Sequence, residues 1–197
     1  MKNYIEEISN YFEREKRAID AIDKASLSEV MNILEQARLD GLQIFIMGNG
    51  GSAATASHYC CDFNKGISIH KEKRYRMICL NDNVPTMMAY ANDTSYDEVF
   101  VGPLQNFYNE GDVVIGISGS GNSGNVVKAM EWAKAHGAIT IAFTGYDGGK
   151  LKQIVDYGVH VPIDDMQITE DLHMVIDHCM MKILCIGCKC YIGERVK

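Results

Sequence analysis

A short apolar run that recurs along the chain is the feature that most constrains its fold. Residues 42–47, LQIFIM, form a continuous apolar run that stops at a glycine, and similar runs recur at 76–80, 112–118, 139–144 and 157–163. Continuous rather than alternating apolar runs are typical of parallel strands that are buried on both faces. The pattern therefore predicts a parallel sheet of five strands.

Segments with helical spacing fill the intervals between these runs, at residues 52–63, 84–92, 97–108, 123–137 and 148–154, and a longer one covers 167–187. Apolar residues within 4–38 also recur at helical spacing, which predicts a leading pair of amphipathic helices. Strands that alternate with helices indicate an α/β fold with a doubly wound parallel sheet. We expect the flavodoxin-like strand order 2-1-3-4-5, with a long C-terminal helix and a helical pair at the N-terminus.

Length and charge narrow the possible functions. The chain has 197 residues and nothing that resembles a linker, so a single domain is predicted, with N-terminal helices in 1–38 and the α/β core with its C-terminal helix in 39–197. A formal net charge of −7 gives no broad positive field, so no nucleic-acid partner is expected. No apolar run is long enough to cross a membrane, and the charged N-terminus is unlike a secretion signal, so we expect a cytoplasmic protein without a membrane partner.

The seven cysteines are then expected to be reduced thiols. The stretch CIGCKC at residues 185–190 lacks a second ligand pair at zinc-site spacing. A metal site there remains a minor alternative.

Two glycine-rich loops follow the first and third predicted strands: GNGGSA from residue 48 and SGSGNSGN at 118–125. In the expected order these strands are neighbours, so both loops would open into one crevice at the carboxyl edge of the sheet. Glycines, serine hydroxyls and a helix N-terminus together suit a phosphate, and we predict that Ser118, Ser120 and Ser123 surround one. A plain strand-to-helix turn that favours glycine and serine is the alternative.

The first loop also fits the dinucleotide pattern G-x-G-x-x-A, which would indicate NAD binding. However, the acidic residue expected about 20 residues downstream is not cleanly present, because Asp82 lies further along. A nucleoside triphosphate loop is excluded since no G-K-[ST] follows either glycine cluster. NAD would also leave the serine loop unexplained.

Histidines and carboxylates appear at helical spacing on two predicted helices. His58 and Asp62 are four residues apart and therefore share one helix face. The last helix carries Glu170, Asp171, His173 and His178, with Glu170 and His178 on one flank. Two histidines and two carboxylates would suit zinc or another first-row divalent ion. Capping and pairing within a subunit interface is the alternative.

The order of four motifs is more specific than any one of them. GNGGSAATASH, GDVVIGISGSGNSGNVVKA, TGYDGGKL and the H-x-x-x-x-H ending of the last helix resemble the phosphoheptose isomerases of the sugar isomerase (SIS) domain superfamily, over nearly the whole chain. The resemblance implies a SIS fold and an aldose-ketose isomerase that converts sedoheptulose 7-phosphate to D-glycero-D-manno-heptose 7-phosphate through an enediol. It also implies a zinc-binding homotetramer with its sites at subunit contacts.

The resemblance implies roles for individual residues. The substrate-loop residues of the family match Asn49, Gly50, Gly51 and Ser52. The phosphate-binding stretch matches Ser118, Gly119, Ser120 and Ser123, and an Asn-Asp pair matches Asn92 and Asp93. The metal and acid/base positions match His58, Asp62, Glu170 and His178. Asp62 and His178 are then the expected catalytic groups, while Glu170 is expected to contact both substrate and metal.

Three of these positions depart from the family pattern. Asp62 stands where a glutamate is common and is shorter by one methylene, or about 1.5 Å of reach. Glu170 replaces a glutamine and adds a charge, and Gly119 replaces a threonine that helps to hold phosphate. None of these changes removes acid/base capacity, so an active enzyme is expected. The alternative is a non-catalytic SIS protein that binds a sugar phosphate, or a partner such as the replication initiator DnaA, and acts as a regulator.

Overall fold

The computed structural model describes residues 2–185, in which five parallel strands form one sheet. The strands are β1 Ile44–Gly48, β2 Met77–Cys79, β3 Val113–Ser118, β4 Ile139–Thr144 and β5 Tyr157–His160. They are ordered β2-β1-β3-β4-β5, and every neighbouring pair is parallel. The predicted α/β class and strand order are confirmed.

The α-helices of the described residues lie where the helical patterns predict them. They are α1 Ile5–Ala21, α2 Lys24–Asp40, α3 Gly51–Cys61, α4 Val84–Asp93, α5 Glu98–Phe107, α6 Gly124–Ala135, α7 Gly149–Ile154 and α8 Met166–Leu184. One departure follows α3 directly, where Asp62–Ile67 forms a π-helical turn instead of continuing the α-helix. None of the described helices is long and apolar enough to cross a membrane. Apart from Cys185, the CIGCKC stretch lies outside the described residues.

Alternate strand side chains pack into two clusters on opposite faces of the sheet. Ile44 and Ile46 of β1 pack in the cluster formed with α1, α2, α3 and α8, whereas Phe45 and Met47 pack in the cluster formed with α5, α6 and α7. Every residue of β1 and β3 is buried. This double burial is the physical reason for the continuous apolar runs in the sequence.

Packing of the π-helical turn gives a testable prediction. Phe63 is 0% exposed, stacks on Tyr59 and meets Tyr75 edge to face. Phe63→Ala leaves a cavity, so we expect urea denaturation to show a loss of about 3–5 kcal/mol in the free energy of unfolding. Leu39, on the surface of α2 and 43% exposed, provides the control. Leu39→Ala is expected to cost less than about 1 kcal/mol, and an equally small loss for Phe63→Ala would contradict the packing described here.

Candidate active site

The two glycine-rich loops adjoin at the carboxyl edge of the sheet. β1 and β3 pair along their lengths, with Gly48 opposite Ile117. Beyond the strands, Asn49 Nδ2 donates to Asn125 Oδ1 at 2.8 Å, and Asn125 Nδ2 donates back to Asn49 Oδ1 at 3.0 Å. Asn125 is only 2% exposed. This reciprocal amide pair fixes the spacing of the loops, as the strand order predicts.

The serine loop concentrates hydrogen-bond donors at one point. Ser118 Oγ lies 3.0 Å from Ser123 Oγ, and Ser120 Oγ accepts from the backbone N–H of Asn122 at 3.2 Å. Helix α6 begins at Gly124, so the N–H groups of Gly124 and Asn125, which have no partner within the helix, lie at the end of this loop. Hydroxyls next to a helix N-terminus suit an anion such as phosphate.

The TGYDGGKL segment braces the serine loop. Gly145 N donates to Gly119 O at 2.8 Å, and Leu151 N donates to Gly121 O at 3.0 Å. Lys150 N donates to the side-chain oxygen of Asn122 at 3.0 Å. These bonds hold the loop in one conformation before any ligand arrives.

Helices α3 and α8 lie side by side and run in the same direction, because their contacts advance together along both. A Cβ atom at Gly51 would overlap the Glu170 carboxylate, and one at Gly66 in the π-helical turn would overlap the end of Met181. Between these points, Tyr59 Oη donates to the carbonyl of His173 at 3.0 Å. This pairing brings the imidazoles and carboxylates of the two helices together.

Four of these groups form a compact cluster. His58, Asp62, Asp177 and His178 each offer one ligand atom, and the four atoms lie within 4.8 Å of one another. His58 Nε2 is 3.0 Å from His178 Nε2, 3.6 Å from Asp62 Oδ2 and 3.9 Å from Asp177 Oδ2. A tetrahedral ion with ligands at 2.0–2.1 Å places them about 3.3 Å apart. The donor set and its spacing therefore fit a first-row divalent metal ion.

Asp177 is the member of this cluster that the sequence analysis missed. Its side chain is 0% exposed, and neither carboxylate oxygen accepts a hydrogen bond within the described part of the chain. Burial, with a further contribution from the charge of Asp62, raises the pKa of Asp177 to about 8. A buried carboxylate without compensation is costly, and a bound cation would provide that compensation. The signal in the sequence was a carboxylate next to His178 on the buried face of an otherwise apolar helix.

Glu170 lies outside this cluster of His58, Asp62, Asp177 and His178. Its carboxylate sits against Gly51 at the start of α3, beside the first glycine-rich loop. Eight residues separate Glu170 from His178, which is about 12 Å along a helix axis. The structure therefore does not bring together the expected set of His58, Asp62, Glu170 and His178, and Asp177 completes the cluster instead.

The other expected substrate residues lie in the first glycine-rich loop and at the end of α4. Asn49 Oδ1 also accepts from Tyr96 Oη at 3.0 Å, and the loop turns into α3 through Gly50 at φ +55° and Gly51. Ser52 is 4% exposed and packs against Gly48, so its side chain supports the turn. Asn92 and Asp93 are exposed at the end of α4, where Asn92 Nδ2 donates to Asp93 Oδ1 at 2.8 Å.

His173, the remaining histidine of α8, belongs to the core rather than to the cluster. Its Nε2 lies 3.4 Å from the Thr144 carbonyl, and its side chain is fully buried. Burial lowers the pKa of His173 to about 4, so the imidazole is neutral at physiological pH. It joins α8 to the end of β4.

The serine loop and the His/Asp cluster both contact α8. Gly119 lies against Met166 and Thr169 in the first turn of the helix, and a Cβ atom at Gly119 would meet both side chains. Thr169 and His178 are nine residues apart, or about 13 to 14 Å along the axis. Glu170, which contacts Gly51, lies at the Thr169 end of this span.

Comparison with known proteins shows similarity along most of the chain. The profile of the SIS domain family matches residues 3–145. The phosphoheptose isomerase of Thermodesulfovibrio yellowstonii is 38% identical over 162 residues, which are 80% of this chain and 78% of the relative. The phosphoheptose isomerase of Clostridium acetobutylicum is 36% identical over 186 residues, 93% of this chain and 94% of the relative. The structure of phosphoheptose isomerase GmhA from Neisseria gonorrhoeae matches with a TM-score of 0.84 at 27% identity, over 92% of this chain and 98% of that chain.

Proposed function

Because the chain belongs to the phosphoheptose isomerase family of SIS domain proteins and is a sugar-phosphate isomerase, we propose that it converts sedoheptulose 7-phosphate to D-glycero-D-manno-heptose 7-phosphate. The observation that carries the choice of substrate is the spacing along α8. Seven carbons at about 1.5 Å per bond, with a phosphate ester, span about 10 Å. With its phosphate at the serine loop, a ligand of this length would cover about 10 of the 13 to 14 Å along α8 to His178, and a shorter sugar would leave a larger gap.

The phosphate end supplies binding and orientation. Ser118, Ser120 and Ser123, together with the N–H groups at the start of α6, would bind the phosphate, while Gly119 contributes only backbone. Asn49 and the turn at Gly50 and Gly51 would contact the sugar, and Glu170 would accept hydrogen bonds from its hydroxyls. Binding energy gained at this remote end holds the reacting carbons in place.

The reacting end needs a base, a proton donor and stabilisation of an enediolate. In this proposal Asp62 removes a proton from C1 of the ketose, which forms the enediolate, and the proton is returned at C2. His178 moves the hydroxyl proton from O1 to O2, so that the carbonyl changes from C2 to C1. Its Nε2 faces His58 within the cluster, and its Nδ1 is the atom that would exchange protons with the sugar oxygens.

Zinc is the metal that we propose for the cluster, held by His58, His178 and a carboxylate. Two imidazoles and carboxylate oxygens are ligands that zinc prefers. A divalent ion bound there would polarise the oxygens on C1 and C2.

Assembly as a homotetramer belongs to the same proposal, as do a single domain and a cytoplasmic location. Ile5, Ile8 and Phe12 of α1 are 67%, 52% and 53% exposed in the isolated chain. An apolar helix face of this kind suits a contact with another subunit.

Ser120→Ala tests the phosphate end. Loss of one hydroxyl donor to a charged oxygen should raise KM about tenfold, with kcat changed much less, because the interaction is present in both ground and transition states. Steady-state kinetics with the ketose phosphate measures this. An effect confined to the metal content of the protein would contradict the role of Ser120.

The proposed function is tested by incubating the purified protein with sedoheptulose 7-phosphate in D₂O and following the aldose by NMR. We expect conversion with deuterium incorporated at C2, because the proton removed by the base exchanges with solvent. Five- and six-carbon ketose phosphates serve as competitors and are expected to react more slowly. Faster conversion of one of these would overturn the choice of substrate.

A further inference from the structure

We infer that Asp177 is the carboxylate that binds the metal ion, and that Asp62 is thereby left free to act as the base. This inference rests on the proposed function for the role of Asp62, but its metal-binding half stands on the geometry of the cluster.

Burial distinguishes the two carboxylates. Both approach the same imidazole, since Asp62 Oδ2 and Asp177 Oδ2 lie 3.6 Å and 3.9 Å from His58 Nε2. The side chain of Asp177 is 0% exposed, whereas that of Asp62 is 13% exposed. A fully buried carboxylate can gain most from a metal ion, because water cannot solvate it.

The open cavity beside the cluster also distinguishes Asp62 from Asp177. Its lining includes His58, Asp62 and His178, but not Asp177. A sugar entering this cavity would meet the carboxylate of Asp62 directly. Asp177 is fully buried and outside this lining, so it can reach an ion bound by the two imidazoles but not a carbon of a sugar in the cavity.

The surroundings of the Asp177 carboxylate support its assignment as the metal ligand. Neither of its oxygens has a hydrogen-bond partner in residues 2–185, so no donor in this part of the chain satisfies the charge. Glu170, the other carboxylate of α8 considered as a ligand, lies at Gly51 about two turns away. Asp177 is therefore the carboxylate on α8 that can join His58 and His178 on one ion.

Zinc affinity measured without sugar tests the inference. The metal-free full-length protein is titrated with zinc in competition with a chromophoric chelator, for the wild type and for Asp177→Asn, Asp62→Asn and Glu170→Gln. We expect Asp177→Asn to raise the zinc Kd by at least about a hundredfold, because loss of even an outer partner of a ligand costs 10- to 100-fold. Asp62→Asn, which removes a neighbour of His58, is expected to raise the Kd by about tenfold, within the range for an outer partner, and Glu170→Gln, about two turns away, by less than that.

Further measurements distinguish loss of a metal ligand from a folding defect in Asp177→Asn. Circular dichroism should show that metal-free Asp177→Asn is folded, and Asp177→Glu, which restores a carboxylate, should recover part of the affinity. The visible spectrum of the Co²⁺ form should change in Asp177→Asn and stay as in the wild type in Asp62→Asn.

The inference is overturned if folded Asp177→Asn keeps wild-type affinity, or if Asp62→Asn loses at least as much affinity as Asp177→Asn. Failure of the proposed substrate would look different. Sedoheptulose 7-phosphate would then remain unconverted while the order of zinc affinities among the variants stayed as expected.

Discussion

Asp62→Asn is expected to lower kcat for isomerisation by about a thousandfold, while the protein still binds the sugar phosphate. An amide keeps the size of the side chain but cannot accept the proton from C1. The serine loop, which lies at the other end of α8, is unaffected, so substrate affinity should persist. Steady-state kinetics and isothermal titration with sedoheptulose 7-phosphate measure the two quantities separately.

A control variant and a variant of the second catalytic group accompany this measurement. Asp40→Asn removes a carboxylate that lies exposed at the end of α2 and accepts a hydrogen bond from Gln36, so its turnover should match the wild type. His178→Gln should lose turnover as Asp62→Asn does, but with weaker metal binding, because its Nε2 belongs to the cluster. Wild-type turnover in both Asp62→Asn and His178→Gln would refute the assignment of acid and base.

Fold and strand order could be predicted because they depend on local patterns. A strand buried on both faces is apolar along nearly its whole length, and the crossover between parallel strands is usually a helix, so the sequence shows both. The π-helical turn at Asp62–Ile67 could not be predicted in this way. At this turn Gly66 lets Met181 of α8 approach closely, and this contact joins residues that are far apart in the sequence.

The candidate site was only partly predictable for a similar reason. His58 and Asp62 are four residues apart in one predicted helix, so their spacing was sufficient to pair them. On α8 the same rule placed Glu170 and His178 on one flank, but it says nothing about distance along the axis or about which residues of α3 lie opposite. The distance along the axis and the facing residues depend on how α3 and α8 pack. This packing places Glu170 against Gly51 and Asp177 beside the imidazoles of His58 and His178.

Gly121→Ala is expected to weaken sugar-phosphate binding by about a hundredfold, or about 2.7 kcal/mol. Gly121 has φ +67°, and a Cβ atom there would overlap the carbonyl oxygen of Gly148 in the neighbouring loop. Relief of this overlap requires the serine loop to move away from the segment that braces it. The bonds from Leu151 N to Gly121 O and from Lys150 N to Asn122 would then be lost, and the hydroxyls of the loop would no longer converge on the phosphate.

Gly111→Ala is the matched control, because it separates backbone strain from loop displacement. Gly111 also has positive φ, +90°, but nothing lies within 4 Å of an added Cβ atom, and the residue precedes β3 at the opposite edge of the sheet. Its substitution should cost about 1 to 2 kcal/mol of stability and leave substrate affinity unchanged. Isothermal titration gives the affinities, and thermal unfolding gives the stabilities. If Gly121→Ala bound the sugar phosphate as tightly as Gly111→Ala, the braced conformation of the serine loop would not be what holds the phosphate.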